Sequence, residues 1–183
     1  MDQLQQARYD RVFDAYAEEG YLTRNGFENS TRVLAEIQGR SADEPAIAAF
    51  RNELGSIWDG LAAIADLDND GKITREEWRT AAEGITTSLR ESQQGGAPFP
   101  FDHWVELLYG AIDADGDGNI TKEEYSEWLK ALGLADDTDI DSAFAGFDTN
   151  QDGTLSRDEF LNLYHQFWSE FDPSVPGHRW IGP

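Results

Sequence analysis

Apolar residues recur at helical spacing over most of the chain. The clearest run follows Pro45 and continues to Ala65, with apolar residues at Ile47, Phe50, Leu54, Ile57, Trp58, Leu61 and Ile64. Similar periodicity predicts helices at Leu4–Tyr16, Thr23–Ile37 and Thr74–Arg90. Proline is favoured in the first turn of a helix, so Pro45 is a suitable start for the longest run. The pattern predicts an all-α fold.

Three acidic segments interrupt the helical pattern and repeat one arrangement of twelve residues. Loop I (Asp66–Glu77) reads DLDNDGKITREE, loop II (Asp113–Glu124) reads DADGDGNITKEE, and loop III (Asp148–Glu159) reads DTNQDGTLSRDE. Each has oxygen-bearing side chains at positions 1, 3 and 5, glycine at 6, an aliphatic residue at 8, a hydroxyl at 9 and glutamate at 12. This is the ligand pattern of the calcium-binding helix–loop–helix unit called the EF-hand.

The spacing suits Ca²⁺, which takes about six to eight oxygen ligands at roughly 2.3–2.6 Å. Glycine at position 6 allows the sharp turn that points the short side chains at one centre. Position 7 offers its backbone carbonyl, position 9 binds directly or through water, and position 12 binds with both carboxylate oxygens. The predicted metal site residues are Asp66, Asp68, Asp70, Lys72, Thr74 and Glu77; Asp113, Asp115, Asp117, Asn119, Thr121 and Glu124; and Asp148, Asn150, Asp152, Thr154, Ser156 and Glu159. We expect three Ca²⁺ ions, with Mg²⁺ as a competitor.

A fourth copy of the unit, lacking ligands, is expected at Phe13–Phe27. EF-hands pair through a short strand contact between their position-8 residues, so loop I needs an N-terminal partner. In FDAYAEEGYLTRNGF, Ala17 stands where the first aspartate would be and Gly26 where the glutamate would be, and the segment is two residues short. We predict a degenerate hand that binds no ion, with Leu22 against Ile73. An ordinary helix–turn–helix is the alternative interpretation.

The four units are predicted to form two pairs. Residues 1–91 would hold the degenerate hand and loop I, and residues 101–171 would hold loops II and III, with Ile120 against Leu155. The segment Ser92–Pro100, SQQGGAPFP, has two glycines and two prolines in nine residues and is predicted to be the linker.

The last segment, residues 172–183, reads DPSVPGHRWIGP and is predicted to be non-helical because of its prolines. It carries two large apolar residues, Trp180 and Ile181, whose exposure to water would be unfavourable. We predict that this tail folds back on the core between the two pairs, where it would occupy the place that a target helix takes in a calcium sensor. A frayed terminus is the alternative.

Composition narrows the functional classes. The net charge of −22, from 36 acidic and 14 basic residues, disfavours nucleic acid and anionic membranes as partners. No stretch approaches the roughly 20 apolar residues of a membrane span, and no apolar signal core is present at the start, so a cytoplasmic protein is expected. The chain has no cysteine, and its three histidines are dispersed without a nucleophile motif, so no enzymatic activity is expected.

The loops and their flanks resemble the sarcoplasmic calcium-binding protein family, and within it the calerythrin-like proteins. An aromatic residue follows each loop, at Trp78, Tyr125 and Phe160, and the stretch EWLKALGLADDTDIDSAFAGFDTNQDGTLSRDEF at Glu127–Phe160 carries the strongest likeness. The resemblance implies a compact globule in which two EF-hand pairs pack together. The silent hand of calerythrin is the second, whereas here the first is broken. Coelenterazine-binding photoproteins share this architecture and end in proline, as Pro183 does here.

Three functions are therefore weighed. The resemblance implies an intracellular calcium buffer, which we also expect to be a monomer. The alternative is a sensor that exposes an apolar surface to a specific protein partner; promiscuous sensors use methionine-rich grooves, and this chain has one methionine. A photoprotein-like binder of a small ligand is the third.

Overall fold

The described part of the chain is mainly helical. A computed structural model describes residues 3–94, 102–134 and 137–181. The helices are α1 (Gln3–Tyr16), α2 (Arg24–Ile37), α3 (Pro45–Ala65), α4 (Arg75–Gln94), α5 (Asp102–Ile112), α6 (Lys122–Ala131), α7 (Asp137–Phe147) and α8 (Arg157–Ser169). The strands, of two residues each, are β1 (Ala17–Glu18), β2 (Tyr21–Leu22), β3 (Ile120–Thr121) and β4 (Thr154–Leu155). None of the described helices is both long and apolar enough to cross a membrane.

The helix boundaries follow the apolar periodicity closely, with one extension. The start of α2 lies one residue later than predicted because Thr23 is its N-cap and accepts a hydrogen bond from the backbone of Gly26. Helix α4 continues to Gln94, so the first three residues of the predicted linker are helical. The first helix breaker in that segment is Gly95, which explains why the helix persists so far. The rest of the linker lies outside the described residues.

Four helix–loop–helix units form two pairs, as predicted. Strand β3 pairs with β4 in antiparallel register, with Ile120 opposite Leu155. Leu22 and Ile73 form an isolated antiparallel bridge in which each N–H donates to the other carbonyl at 3.0 Å. All four side chains are fully buried. We call the unit pair with loop I the N-terminal pair, and the unit pair with loops II and III the C-terminal pair.

The two pairs pack directly against each other and share one hydrophobic core. Helices α2, α3 and α4 of the first pair contact α6, α5 and α8 of the second. Ring contacts cross the boundary: Phe50 lies 6.2 Å from Trp104, and Tyr9 lies 6.2 Å from Trp168, between ring centroids. Arg40 and its neighbour Gln38, both following α2, also donate hydrogen bonds to the last carbonyls of α5. The N-terminal pair therefore supports the helix that leads into loop II.

The tail lies on the C-terminal pair. It contains one turn of 3₁₀-helix at Pro176–Arg179, where the sequence predicted no helix; a proline at the first helical position favours such a turn. Gly177 approaches α8 so closely that an added Cβ would lie 2.5 Å from the carbonyl oxygen of Leu163. Trp180 and Ile181 are 2% and 4% exposed.

Candidate calcium sites

Each predicted loop joins two helices and turns through two left-handed residues. Loop I follows α3, loop II follows α5 and loop III follows α7. The position-6 glycines, Gly71, Gly118 and Gly153, have φ of 80°, 89° and 91°. Position 4 is also left-handed, at Asn69, Gly116 and Gln151, with φ of 57°, 72° and 61°. The sequence pattern did not single out position 4, since a glutamine rarely adopts this conformation.

The first aspartate of each loop is fixed by backbone N–H groups from the middle of the same loop. Asp66 accepts from the N–H of Asp70 at 3.1 Å and of Gly71 at 3.0 Å. Asp113 and Asp148 accept in the same way from the position-6 glycines, at 3.1 Å and 2.8 Å. These bonds hold one carboxylate at the centre of each turn.

The carboxylates of loops I and II converge on a common point. One oxygen from each of positions 1, 3 and 5 lies within 4.8 Å of the others, in Asp66, Asp68 and Asp70 and again in Asp113, Asp115 and Asp117. Two ligands on opposite sides of a Ca²⁺ ion are up to about 5 Å apart, so this spacing fits the ion. Loop III differs in having an amide at position 3, and Asn150 lies beside Asp152, its Oδ1 accepting from that residue's N–H at 2.9 Å.

The glutamate at position 12 bridges the two ends of its loop. In loop II, Glu124 accepts from the N–H of Ala114 at 2.7 Å and from the N–H of Thr121 at 2.8 Å. Glu77 and Glu159 make the equivalent contacts with positions 2 and 9 of loops I and III. The carboxylate is thereby brought back from the exiting helix to the mouth of the loop, as a bidentate ligand requires.

The hydroxyl at position 9 orients this glutamate. Thr121 and Ser156 are the N-caps of α6 and α8, and each forms a capping box with the glutamate three residues later. In loop I the hydroxyl of Thr74 donates to Glu77 at 2.8 Å and accepts from its N–H at 3.3 Å. The sequence predicted the position-9 residues only as ligands. In the structure they also hold the position-12 glutamate in place.

The loops concentrate negative charge that a cation would neutralise. Burial, together with the charges of Glu124 and Asp115, raises the pKa of Asp113. Burial would also raise the pKa of Glu159, but hydrogen bonds from Ser156 and Thr149 lower it to about 2. Glu159 is thus ionised and ready to bind a cation, while Asp113 is repelled by its neighbours. A hard dication held by oxygen ligands removes that repulsion.

The degenerate hand replaces a ligand loop with a tight β-hairpin. Strands β1 and β2 pair through Ala17–Leu22 and Glu18–Tyr21. The two residues between them, Glu19 and Gly20, have φ of 53° and 87°, as a type I′ turn requires. The shorter loop therefore closes on itself through this backbone pairing. This geometry supports a degenerate hand over an ordinary helix–turn–helix.

The position of the missing glutamate is sterically closed. A Cβ on Gly26 would lie 2.4 Å from the carbonyl oxygen of Tyr16, so α2 begins against the end of α1. A glutamate at this position could not be accommodated without moving one helix. The shortened loop brings α2 close to α1, and the glycine at position 26 makes that close approach possible.

Tyr109 connects loops II and III, and sequence reasoning missed it. Its buried hydroxyl contacts two backbone carbonyls at 2.9 Å each, that of Gly118 in loop II and that of Leu155 in loop III. Tyr109 lies on α5, four residues before Asp113, and nothing in the loop pattern distinguishes it. The contact between the two loops appears only in the tertiary structure.

The loop geometry and two family models define the class of protein. The model described as an EF-hand domain pair matches residues 109–165, and the model described as an EF hand matches residues 63–81. These ranges contain loops II and III and loop I, respectively. The protein is a calcium-binding EF-hand protein.

Comparison with known proteins identifies its family. The chain is 32% identical to calerythrin of Saccharopolyspora erythraea over 161 residues, which are 87% of each protein. It is 29% identical to the sarcoplasmic calcium-binding protein alpha chain of Penaeus vannamei over 171 residues, covering 90% of this chain and 86% of that one. The chain belongs to the sarcoplasmic calcium-binding protein and calerythrin family.

A solved structure extends the likeness to the fold. A calcium-binding protein of Streptomyces coelicolor, described in connection with prokaryotic calcium-mediated regulation, matches with a TM-score of 0.69 at 26% identity. The match covers 90% of this chain and 98% of that one. The all-α EF-hand fold inferred from the periodicity and the loops is thus confirmed.

Proposed function

We propose that this protein is a cytoplasmic calcium buffer that binds three Ca²⁺ ions, one in each of loops I, II and III. The proposed ligands are the residues at positions 1, 3, 5, 7, 9 and 12 of each loop. Convergence of oxygens within 4.8 Å in loops I and II, and the closed hairpin at the degenerate hand, support this number. Mg²⁺ is the proposed competitor, because the same oxygens suit it at lower coordination number.

The burial of Trp180 is the observation that favours a buffer over a sensor. Sensor EF-hands open on binding calcium and expose an apolar groove to a target. Here the indole of Trp180 lies among rings of the C-terminal pair, with centroids 5.5 Å from Trp128, 5.7 Å from Phe160 and 5.1 Å from Tyr164. The hydroxyl of Tyr125 donates to the Trp180 carbonyl at 2.7 Å. These contacts support our inference that the chain's own tail fills the space where a target would bind.

Calcium binding should stabilise the fold. Each Ca²⁺ brings two positive charges, so three ions would change the net charge from −22 to −16. A ligand that binds only the native state contributes about 2.7 kcal/mol at a concentration 100-fold above its Kd. Relief of carboxylate repulsion within the loops is the physical source of this stabilisation.

A calorimetric titration with Ca²⁺, repeated in millimolar Mg²⁺, tests the proposal. We expect three ions per chain and weaker apparent Ca²⁺ affinity when Mg²⁺ is present. Light scattering should give the mass of a monomer. A fourth ion, or an ion bound between Tyr16 and Phe27, would contradict the prediction that the first hand binds no ion.

A calcium sensor is the second candidate, and an exposed apolar groove favours it. Ile64, near the end of α3, is 58% exposed, and Leu67, in loop I, is 74% exposed. They line a groove of about 470 Å³ between α3 and α4, together with Ala81, Ile85 and Leu89. The association of the Streptomyces coelicolor protein with calcium-mediated regulation makes a protein partner worth testing. A large rise in hydrophobic dye binding when calcium is added would support the sensor, whereas a buffer should bind less dye or the same amount.

A further inference from the structure

A cavity of about 420 Å³ lies between the N-terminal and C-terminal pairs. Helices α1 to α4 line one side of it, and α5, α6, α8 and the tail line the other. Its walls are dominated by aromatic and aliphatic side chains, and Glu53 alone carries a charge among the described residues that line it. Ser56, Gly60 and Ile64 of α3 are exposed and mark its mouth.

Three tryptophans that line this cavity have buried indole N–H groups. The Nε1 atoms of Trp104, Trp168 and Trp180 are buried and find no hydrogen-bond partner in the described part of the chain. Trp78 also lines the cavity, yet its Nε1 donates to the Tyr9 carbonyl at 2.7 Å. Buried polar groups in native proteins nearly always have a partner. These three donors belong to residues that line one cavity, where a bound molecule with acceptors could satisfy them.

Water alone is a poor occupant for these walls. A buried water molecule needs two to four polar partners, and most of this lining is hydrocarbon or aromatic ring. An aromatic molecule can instead make edge-to-face contacts with rings such as those of Trp104 and Tyr164, whose centroids lie 5.6 Å apart. The volume lies within the range of about 300–1,000 Å³ that small-molecule sites occupy.

We propose that this cavity binds an uncharged, largely aromatic small molecule that carries hydrogen-bond acceptors. The indole N–H groups of Trp104, Trp168 and Trp180 would donate to those acceptors and orient the molecule. Glu53 near the mouth disfavours anionic ligands such as fatty acids. The inference does not depend on the buffer proposal, because none of the loop ligands lines the cavity.

Nile red and pyrene are suitable probes for the calcium-loaded full chain. Nile red is an uncharged aromatic dye with a carbonyl acceptor, and pyrene is an aromatic hydrocarbon without one. We expect saturable binding of one Nile red per chain, with blue-shifted emission. In the ¹⁵N–¹H spectrum, the indole signals of the three tryptophans should move, and that of Trp58, which does not line the cavity, should stay.

Two glycines provide a matched pair of variants that test the location. A Cβ on Gly60 or on Gly146 would meet no atom within 4 Å, and both glycines are exposed within helices. Gly60→Leu places a side chain at the cavity mouth and should weaken Nile red binding about tenfold or more. Gly146→Leu carries the same helix change away from the cavity and should bind within about twofold of the wild type. Absence of saturable binding, or equal binding by the two variants, would overturn the proposal.

A tryptophan substitution tests the hydrogen bonds. Trp104→Phe keeps a ring and removes one N–H, so Nile red binding should weaken about threefold to tenfold while pyrene binding stays within twofold. Trp58→Phe is the control for loss of a buried indole elsewhere. Melting curves of each variant establish that it folds, and Trp168→Phe replaces Trp104→Phe if the latter does not. An equal loss for both probes would refute the donor role of the indoles.

Discussion

At the scale of single residues, the glutamate at position 12 closes each loop. Glu124 is buried, and both of its oxygens accept hydrogen bonds from groups at the two ends of loop II. These bonds come from N–H and hydroxyl donors, which require an acceptor at both oxygens. Replacing Glu124 with an isosteric amide therefore removes a hydrogen-bond acceptor from the loop as well as a negative charge.

Glu124→Gln should weaken Ca²⁺ binding in loop II by about tenfold or more, since interactions with a charged acceptor contribute roughly 1.5–3 kcal/mol. Loop III should weaken as well, because β3 and β4 join the two loops. Loop I, in the other pair, should be less affected. A competitive chelator titration measures all three affinities. Glu123→Gln, which removes the same charge at the exposed neighbouring position, is the control; unchanged affinities in Glu124→Gln would contradict the ligand assignment.

Tyr109 is the residue that joins loops II and III by a side chain. Tyr109→Phe removes the hydroxyl that lies 2.9 Å from the carbonyls of Gly118 and Leu155. We expect a loss of about 1–3 kcal/mol in the free energy of unfolding and less cooperative binding by the two loops. Urea unfolding and calcium titration provide the two measurements. Tyr21→Phe, at a residue 37% exposed, should change neither.

At the scale of elements, the first hand shows how an EF-hand can shorten its loop and keep its fold. The hairpin of β1 and β2 retains the strand contact between Leu22 and Ile73, so the apolar frame of the pair survives. The ligand side contracts instead, and Gly26 lets α2 start against the carbonyl of Tyr16. Restoring one ligand cannot reopen the loop.

Gly26→Glu should therefore create no fourth calcium site. Overpacking against the Tyr16 carbonyl should lower the free energy of unfolding by about 1–3 kcal/mol. Gly60→Ala is the matched control, because its Cβ would enter open space within a helix and should stabilise by up to about 1 kcal/mol. The number of bound Ca²⁺ ions and the free energy of urea unfolding are measured for both variants. A fourth ion in Gly26→Glu would refute the steric explanation.

At the scale of the whole molecule, the tail joins the two halves. The guanidinium of Arg8 on α1 is buried, and it donates to the carbonyl of Phe167 at 2.7 Å and to Nδ1 of His178 at 3.2 Å. One cation thus holds the end of α8 and the tail against the N-terminal helix. Removing the tail should therefore destabilise both EF-hand pairs.

Truncation after Phe171 should lower the melting temperature and increase binding of a hydrophobic dye in calcium. Gly177→Ala is the finer test, since its Cβ would lie 2.5 Å from the Leu163 carbonyl and should displace the tail without removing it. Gly146→Ala, in open space, is the control. A truncated chain with the melting temperature and dye signal of the full chain would rule out a plug and strengthen the sensor hypothesis.

Stability should also depend on pH through His178. Burial, followed by the charges of Arg8, Arg11 and Arg179, lowers the pKa of this imidazole in the native state. Above about pH 6.5 it is neutral in both states. As the pH falls below that value, the unfolded chain takes up the proton first, so stability is lost until the native pKa is reached. His178→Gln should show a smaller loss between pH 7.5 and 5 in thermal unfolding; identical profiles would contradict this origin.

Much of the molecule could be predicted from the sequence because the relevant interactions are local. All proposed ligands of one loop lie within twelve residues, so their spacing alone predicts the turn, the position-6 glycine and the glutamate. Apolar periodicity predicted α3 from Pro45 to Ala65, and the position-8 rule predicted the contacts of Leu22 with Ile73 and of Ile120 with Leu155. Each of these depends on a repeated short-range pattern.

Only the tertiary structure decided how distant parts meet. Tyr109 between two loops, Gly26 against Tyr16, and the three indoles around one cavity depend on where separate helices come to lie. The large apolar side chain of Trp180 allowed its burial to be predicted from the sequence. Nothing in the sequence predicted which rings it would contact. Long-range packing is determined by shape complementarity over the whole core rather than by the order of residues in one segment. For that reason the sequence by itself determined the calcium-binding loops, and the tertiary structure decided the cavity, the steric closure of the first hand and the place of the tail.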